Sequence, residues 1–289
     1  MAHPTSDVFA RLERFYDAVP RDAAVAEDIG SFVLFVRDGA GWPFYARPRI
    51  GAPTPSAADV TAVRQRQRDL GIAEAFEWVH DTTPDLLPVA RSAGLEVLLA
   101  PLMVLQRAAL VPDLPLPDAR IRLLDPAAPA FADDLAASRA VAQLGFGAPA
   151  APAFPTGDGP LVTAAAGPRE RDAVTRPDDA QVDDARQRQT AGRHTTAVVE
   201  SPTEGILASG IVQQVGDVAE VAGVATLPSA RRRGYASQLT ASLARHALQS
   251  GADLVLLSAG DDDVARLYSR IGFRRIGTAC IGEPAPAAL

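Results

Sequence analysis

A chain of 289 residues, 47% of them hydrophobic, is long for one compact core and comfortable for two, and no apolar run approaches the ~18 residues that would cross a bilayer. A net charge of −7 argues against binding nucleic acid, which demands a surplus of basic surface to neutralise phosphates. Cys280, the only cysteine, permits no internal disulfide, and Met1 to Pro20 mix charges among apolar residues in place of a secretion signal's apolar core; a cytoplasmic protein is expected.

In the first half, Ser31 to Arg37 and Phe44 to Arg47 read as strands. Ser56 with Asp59 makes a capping-box start to a helix that ends at Gly71. Ala75 to Val79 is a strand and Asp85 to Ala93 a helix stopped by Gly94; Pro88 fits that helix only in its first turn. Glu96 to Leu105 is a strand. The following stretch, Leu105 to Ala119, carries three prolines and no periodicity, as a stiff interdomain linker would. It divides the chain into residues 1–115 and 116–289.

In the second half, Arg120 to Leu124 reads as a strand and Phe131 to Leu144 as a helix stopped by Gly145. Pro149 to Asp178, rich in Pro, Gly and Ala, is a long loop, and Asp179 to Ala191 a short helix. Thr195 to Glu200, Gly205 to Val212 and Val218 to Leu227 read as successive antiparallel strands. Tyr235 to Gln249 is an amphipathic helix with Leu239, Leu243 and Ala247 on one face. Leu254 to Ala259 is a strand, Asp262 to Ile271 a helix with Gly272 just past its end, and Arg274 to Ile281 a closing strand. Laying Gly94 on Gly272 superposes strand, helix, strand and helix, a degenerate internal repeat.

The sharpest local signal is VAGVATLPSARRRGYA, Val221 to Ala236. An apolar strand ends at Pro228, an Arg-x-x-Gly-x-Ala turn follows, and the amphipathic helix begins at once. A helix start presents unpaired amides and the positive end of the dipole, Gly234 and Ala236 let an anion approach the backbone, and Arg231, Arg232 and Arg233 add charge-assisted donors. Together these make a diphosphate cradle. A P-loop is excluded because the chain has no lysine, and no Gly-x-Gly-x-x-Gly occurs. Taken alone, the three arginines read more readily as a solvated turn; the strand–turn–helix context reverses that preference. The four histidines lack metal-ligand spacing, so no metal site is expected. Trp42, Phe76 and Trp78 read as core in preference to part of an acceptor pocket, and Cys280 as a small buried hydrophobe.

The turn, followed in order by Leu267, Tyr268, Gly272 and Phe273, resembles the GNAT superfamily of N-acetyltransferases. The resemblance spans about Asp118 to Ile281. It implies an α+β chain of two GNAT-like domains, each a mixed, mostly antiparallel sheet flanked by helices, with the first a degenerate copy. It implies an enzyme that moves an acetyl group from acetyl-CoA to a primary amine, on a small molecule or peptide, by direct attack. Val224, Ala225 and Thr226 would pair with the pantetheine amides, with Gly223 at a bulge and an amide near Val224 or Ala225 as oxyanion donor. Arg231, Arg232, Arg233, Gly234, Tyr235 and Ala236 would hold the diphosphate. Tyr268 would protonate the leaving thiolate, and Glu220 is the candidate general base.

Other readings of single residues stand beside these: Tyr268 as a packed core aromatic, Glu220 as a strand glutamate facing solvent or an arginine. Asp262 stands where the family often has Asn, and the first half has RPRIGAPTPSAAD in place of the turn and Ala90 in place of the tyrosine. The first half is therefore not expected to bind acetyl-CoA productively. An acetyl-CoA sensor or partner-binding module on the same scaffold is the rival expectation.

Overall fold

The computed structural model describes residues 4–39, 44–112, 115–147 and 165–285. In chain order the elements are α1 (Pro4–Arg21), β1 (Ala24–Ile29), β2 (Phe32–Arg37), β3 (Ala46–Pro48), α2 (Ala57–Asp69), β4 (Phe76–Val79), α3 (Leu86–Ser92) and β5 (Leu95–Gln106). Then come β6 (Arg120–Leu123), α4 (Phe131–Gly147), α5 (Pro168–Asp172), α6 (Asp179–Thr190), β7 (His194–Ser201), β8 (Gly205–Val215) and β9 (Val218–Thr226). α7 (Tyr235–Gln249), β10 (Leu254–Ser258), α8 (Asp262–Ser269) and β11 (Arg274–Pro284) complete the chain. The α+β class expected from the sequence is what forms.

Contacts divide the chain into two compact units, residues 1–105 with 256–289, and residues 106–255. In the first, β1, β2 and β3 form an antiparallel run, β3 pairs with β4 in parallel, and β11 lies antiparallel between β4 and β5. The strand read from Arg274 to Ile281 is thus built beside strands from the chain's beginning. Phe32, Leu34, Phe76, Trp78, Leu86 and Cys280 form this unit's core, consistent with alternate strand residues facing one side. α1 was not foreseen, although Leu12, Phe15, Tyr16 and Val19 are buried at the spacing of one helical face. The capping box is present: the Ser56 amide donates to Asp59 at 2.8 Å and the Asp59 amide to Ser56 Oγ at 3.2 Å.

In the second unit β6, β7, β8 and β9 form an antiparallel sheet in that order. α4 packs on one face: Ser138 Oγ meets Ser209 Oγ at 2.9 Å. α7 packs on the other, where a Cβ on Gly210 would lie 3.0 Å from Leu243 and 3.5 Å from Leu239. Strand alternation then puts Ser209, Ile211 and Gln213 on the α4 face and Gly210, Val212 and Gln214 on the α7 face. α4 runs two residues past Gly145, where the sequence reading ends it. A Cβ at Gly145 would stand 2.9 Å from Ala225 Cβ and 3.2 Å from Thr226 O, so this glycine serves close approach and not termination. Of the stretch Pro149 to Asp178, residues 149–164 lie outside the described residues; the remainder contains α5, which the sequence reading takes as loop. Within Leu105 to Ala119, β5 extends to Gln106 and a 3-10 turn occupies Arg107–Ala109.

Candidate functional site

The bulge expected at Gly223 is present. Ser209 pairs with Ala225 and Ile211 with Ala222, so Gly210 alone on β8 faces both Gly223 and Val224 on β9. Gly223 is exposed and has φ +60, the left-handed backbone that a bulge of this kind requires. The bulge turns Val224 towards the α7 face, its Cγ2 near Gly210, while Ala225 returns to the α4 face against Gly145. Thr226 ends the strand, and its Oγ1 is buried without a partner among the described residues.

A 3-10 turn at Pro228–Ala230 then carries the chain into the basic turn. Arg232 has φ +67 and Gly234 φ +81, so two of three consecutive residues are left-handed. Gly234 is the N-cap of α7 and brings no side chain to it. Among the described residues, the amides of Gly234, Tyr235, Ala236 and Ser237 find no acceptor, and nothing stands within 4 Å of where a Cβ on Gly234 would be. An anion placed there would meet amides and the positive end of a helix of 15 residues.

The arginines divide their work. Arg231 donates through Nη2 to Gly145 O at 2.7 Å, tying the turn to the end of α4. Arg233 pairs with Glu204 at 3.1 Å and lies 3.9 Å from Asp118, while Arg232 is exposed. Tyr235 is buried and donates from its hydroxyl to Asp118 at 2.8 Å; burial, opposed by Arg233 and reinforced by Asp118, raises its pKa. Asp118, Glu204 and Gly145 were invisible to the sequence reading because their partners are 117, 29 and 86 residues away.

Glu220 is half-buried on the α4 face of β9, where Gln213 Nε2 donates to its Oε2 at 2.7 Å. A signal for this partner exists in the sequence. Gly216 and Asp217 make a two-residue turn between β8 and β9, which fixes Val215 opposite Val218 and hence Gln213 opposite Glu220.

In the first unit, Tyr268 is buried on α8, its ring centroid 6.2 Å from that of Phe273. Asp261 caps α8 through Val264 N at 2.8 Å, and Asp262 pairs with Arg275 at 3.1 Å. Phe76 and Trp78 lie in the core as expected, and Trp42 falls outside the described residues. Burial pushes the Cys280 thiol up to about 12, with Asp81 adding to it. Among the described residues no cluster of three or more metal-ligating side chains occurs.

A cavity of about 530 Å³ lies in the second unit, lined by Thr195, Val212, Gln214, His246 and Ser250 among others. It sits at the C-terminal end of α7 on the α7 face, away from both the basic turn and Glu220. His194 is half-buried, and its pKa falls to about 4, through desolvation first and then Arg188 and Arg139.

A bulged strand running through a basic turn into a helix that begins at a glycine is the arrangement that the resemblance to the GNAT superfamily implies. Residues 198–281 match the family model described as FR47-like protein, a segment that contains the bulge, the turn, Glu220 and Tyr268. No curated protein matches the chain. Among solved structures, a GCN5-related N-acetyltransferase from Kribbella flavida shares its fold at TM-score 0.67 and 21% identity, over 96% of each chain. One from Sphaerobacter thermophilus gives TM-score 0.55 and 13% identity over 96% of this chain and 87% of that one. A tandem GNAT protein from the clavulanic acid biosynthesis pathway gives 0.50 and 15%, over 90% and 80%. The chain shares the fold of these N-acetyltransferases, and the FR47-like match is confined to residues 198–281.

Proposed function

We propose that the chain transfers an acetyl group from acetyl-CoA to a primary amine by direct attack. The observation that carries this reading is the uncapped start of α7 at Gly234, with its unengaged amides, next to the bulge at Gly223. The residues fit the diphosphate and pantetheine of CoA. The amides of Gly234 to Ser237 receive the anion, and the strand edge at Val224, Ala225 and Thr226, whose Oγ1 lacks a partner among the described residues, receives the pantetheine amides. Arg232 adds charge from the exposed side of the turn. Arg231 and Arg233 shape it, since a backbone carbonyl and carboxylates already engage them.

Glu220 takes a proton from the amine, directly or through water, and the free amine attacks the thioester carbonyl carbon. The C–S bond breaks as the C–N bond is completed, and Tyr268 gives its phenolic proton to the departing thiolate. An amide near Val224 or Ala225 stabilises the oxyanion. Residues 1–115 act as the degenerate copy and residues 116–289 as the catalytic one.

Thiol release from acetyl-CoA with a panel of primary amines tests this, alongside calorimetry with CoA. Tyr268→Phe is expected to lower kcat by about 10²-fold or more and leave acetyl-CoA affinity unchanged. Absence of heat with CoA would end the proposal. Tight binding without turnover of any amine favours the sensor reading, for which the engagement of Asp262 by Arg275 already speaks.

A further inference from the structure

Glu220 does not stand alone on the α4 face. His194 pairs directly across from Gln213, and Gln213 directly across from Glu220, so the three side chains form one row over β7, β8 and β9. The strands are ~4.8 Å apart, which makes the row about 10 Å long. Gln213 is half-buried and gives one amide hydrogen to Glu220 Oε2 at 2.7 Å. Among the described residues nothing donates to its Oε1, and that oxygen is not sealed from solvent.

At its β7 end the row adds no positive charge of its own. His194 stays neutral above pH 4, through desolvation and then Arg188 on α6 and Arg139 on α4. Arg139 Nη1 is drawn aside to Gln181 Oε1 at 3.3 Å, with Asp184 and Asp178 near it. The neighbouring positions along the same face, Ile211 and Ala222, are apolar.

We propose that Gln213 is the positioning residue of the acceptor site: its Nε2–H fixes the Glu220 carboxylate while its Oε1 accepts a second N–H from the same primary ammonium. The inference rests on Glu220 acting as the base. A primary ammonium has three hydrogens to place and a tertiary one has a single hydrogen, so paired acceptors on neighbouring strands select the primary amine. The hydrogen bond from Gln213 also favours ionised Glu220, so removing it moves the carboxylate's titration to higher pH.

The test uses the full chain. Side-chain ¹³C NMR follows the titration of Glu220, assigned by its absence in Glu220→Gln, in wild type, Gln213→Leu and Gln213→Glu. Gln213→Leu is expected to raise the midpoint by about one pH unit, and Gln213→Glu, which adds a like charge, by more. With the amine most rapidly acetylated in the panel, Gln213→Leu should lower kcat/KM about tenfold or more and move the acid limb of its pH profile upwards. Should no amine be turned over, methylammonium and trimethylammonium serve as probes. Methylammonium alone is expected to shift the Gln213 side-chain amide signals.

Retained acetyl-CoA binding and an unchanged Glu220 titration in both Gln213 variants, each melting as wild type does, would overturn the inference while sparing the proposed function. Equal response to methylammonium and trimethylammonium would overturn it too. Loss of acetyl-CoA binding by the wild-type protein would overturn the proposed function itself.

Discussion

Gly145→Ala sets two known effects against each other. Within a helix the substitution is normally favourable by about 0.5–1 kcal/mol, because glycine loses more backbone entropy on folding. Here the new Cβ would stand 2.9 Å from Ala225 Cβ, 3.2 Å from Thr226 O and 3.4 Å from Thr226 N. None of these is the end of a flexible side chain, so either α4 or the bulged strand must move. Overpacking of this kind costs about 1–3 kcal/mol. The gain is reduced further because Gly145 lies only two residues before the end of α4. The balance is a loss of about 1–2 kcal/mol, or a Tm lower by about 2–8 °C in a chain of this size. Displacement of Ala225 and Thr226 should also weaken acetyl-CoA binding, and the Arg231 bond to Gly145 O couples the change to the basic turn. Thermal unfolding and calorimetry with CoA measure the two consequences. A variant that melts higher and binds CoA as wild type does would refute the reasoning, for it would mean that α4 is free to retreat from the strand.

His194 should make stability pH-dependent. Its folded pKa of about 4 lies below the ordinary 6.5, so the unfolded chain takes up the proton first as pH falls. The stabilisation is complete above pH 6.5 and lost towards pH 4, by at most about 3 kcal/mol, and His194→Gln should flatten that limb of a denaturation series. Tyr235→Phe removes the hydroxyl bond to Asp118 at 2.8 Å and should cost about 1 kcal/mol in chemical denaturation, since exposed Asp118 regains water. Cys280, fully buried with its thiol pushed to about 12, should be silent to a thiol reagent in the native protein and react fully in denaturant, which keeps the background of a thiol-release assay low.

The parts of the fold that the sequence made legible are those set by local rules. The capping box at Ser56, the bulge at Gly223 and the limits of α7 each follow from a few adjacent residues whose backbone demands are specific. β1 was missed because AVAEDI is a half-exposed strand with no apolar alternation to betray it. α1 carries its helical stripe openly in the sequence, in Leu12, Phe15, Tyr16 and Val19. The neighbours of β11 could not be read at all, because they come from the other end of the chain and local propensity says nothing about them. The site divides the same way. The turn's shape follows from Gly234, whereas the engagement of Arg231 and Arg233 depends on carbonyl and carboxylate groups brought in by the fold.

The two helix starts differ in the room they leave for the anion of the proposed function. α2 and α7 each follow a strand in the two proposed copies, and each begins with four amides that the helix cannot satisfy. At α2 the side chains of Ser56 and Asp59 close the box, and a Cβ on Gly30 would collide with Asp59, so that end is both capped and crowded. A carboxylate already sits where an anionic ligand would have to go. At α7 the cap is a glycine with open space around it, entered through two left-handed residues that turn the chain without a side chain reaching the amides. A cap of Ser, Asn or Asp contributes about 0.5–2 kcal/mol to a helix, and α7 forgoes it. The two helix starts thus differ in what occupies them: the side chains of Ser56 and Asp59 at α2, and no side chain among the described residues at α7, beside the strand whose ladder is interrupted at Gly223.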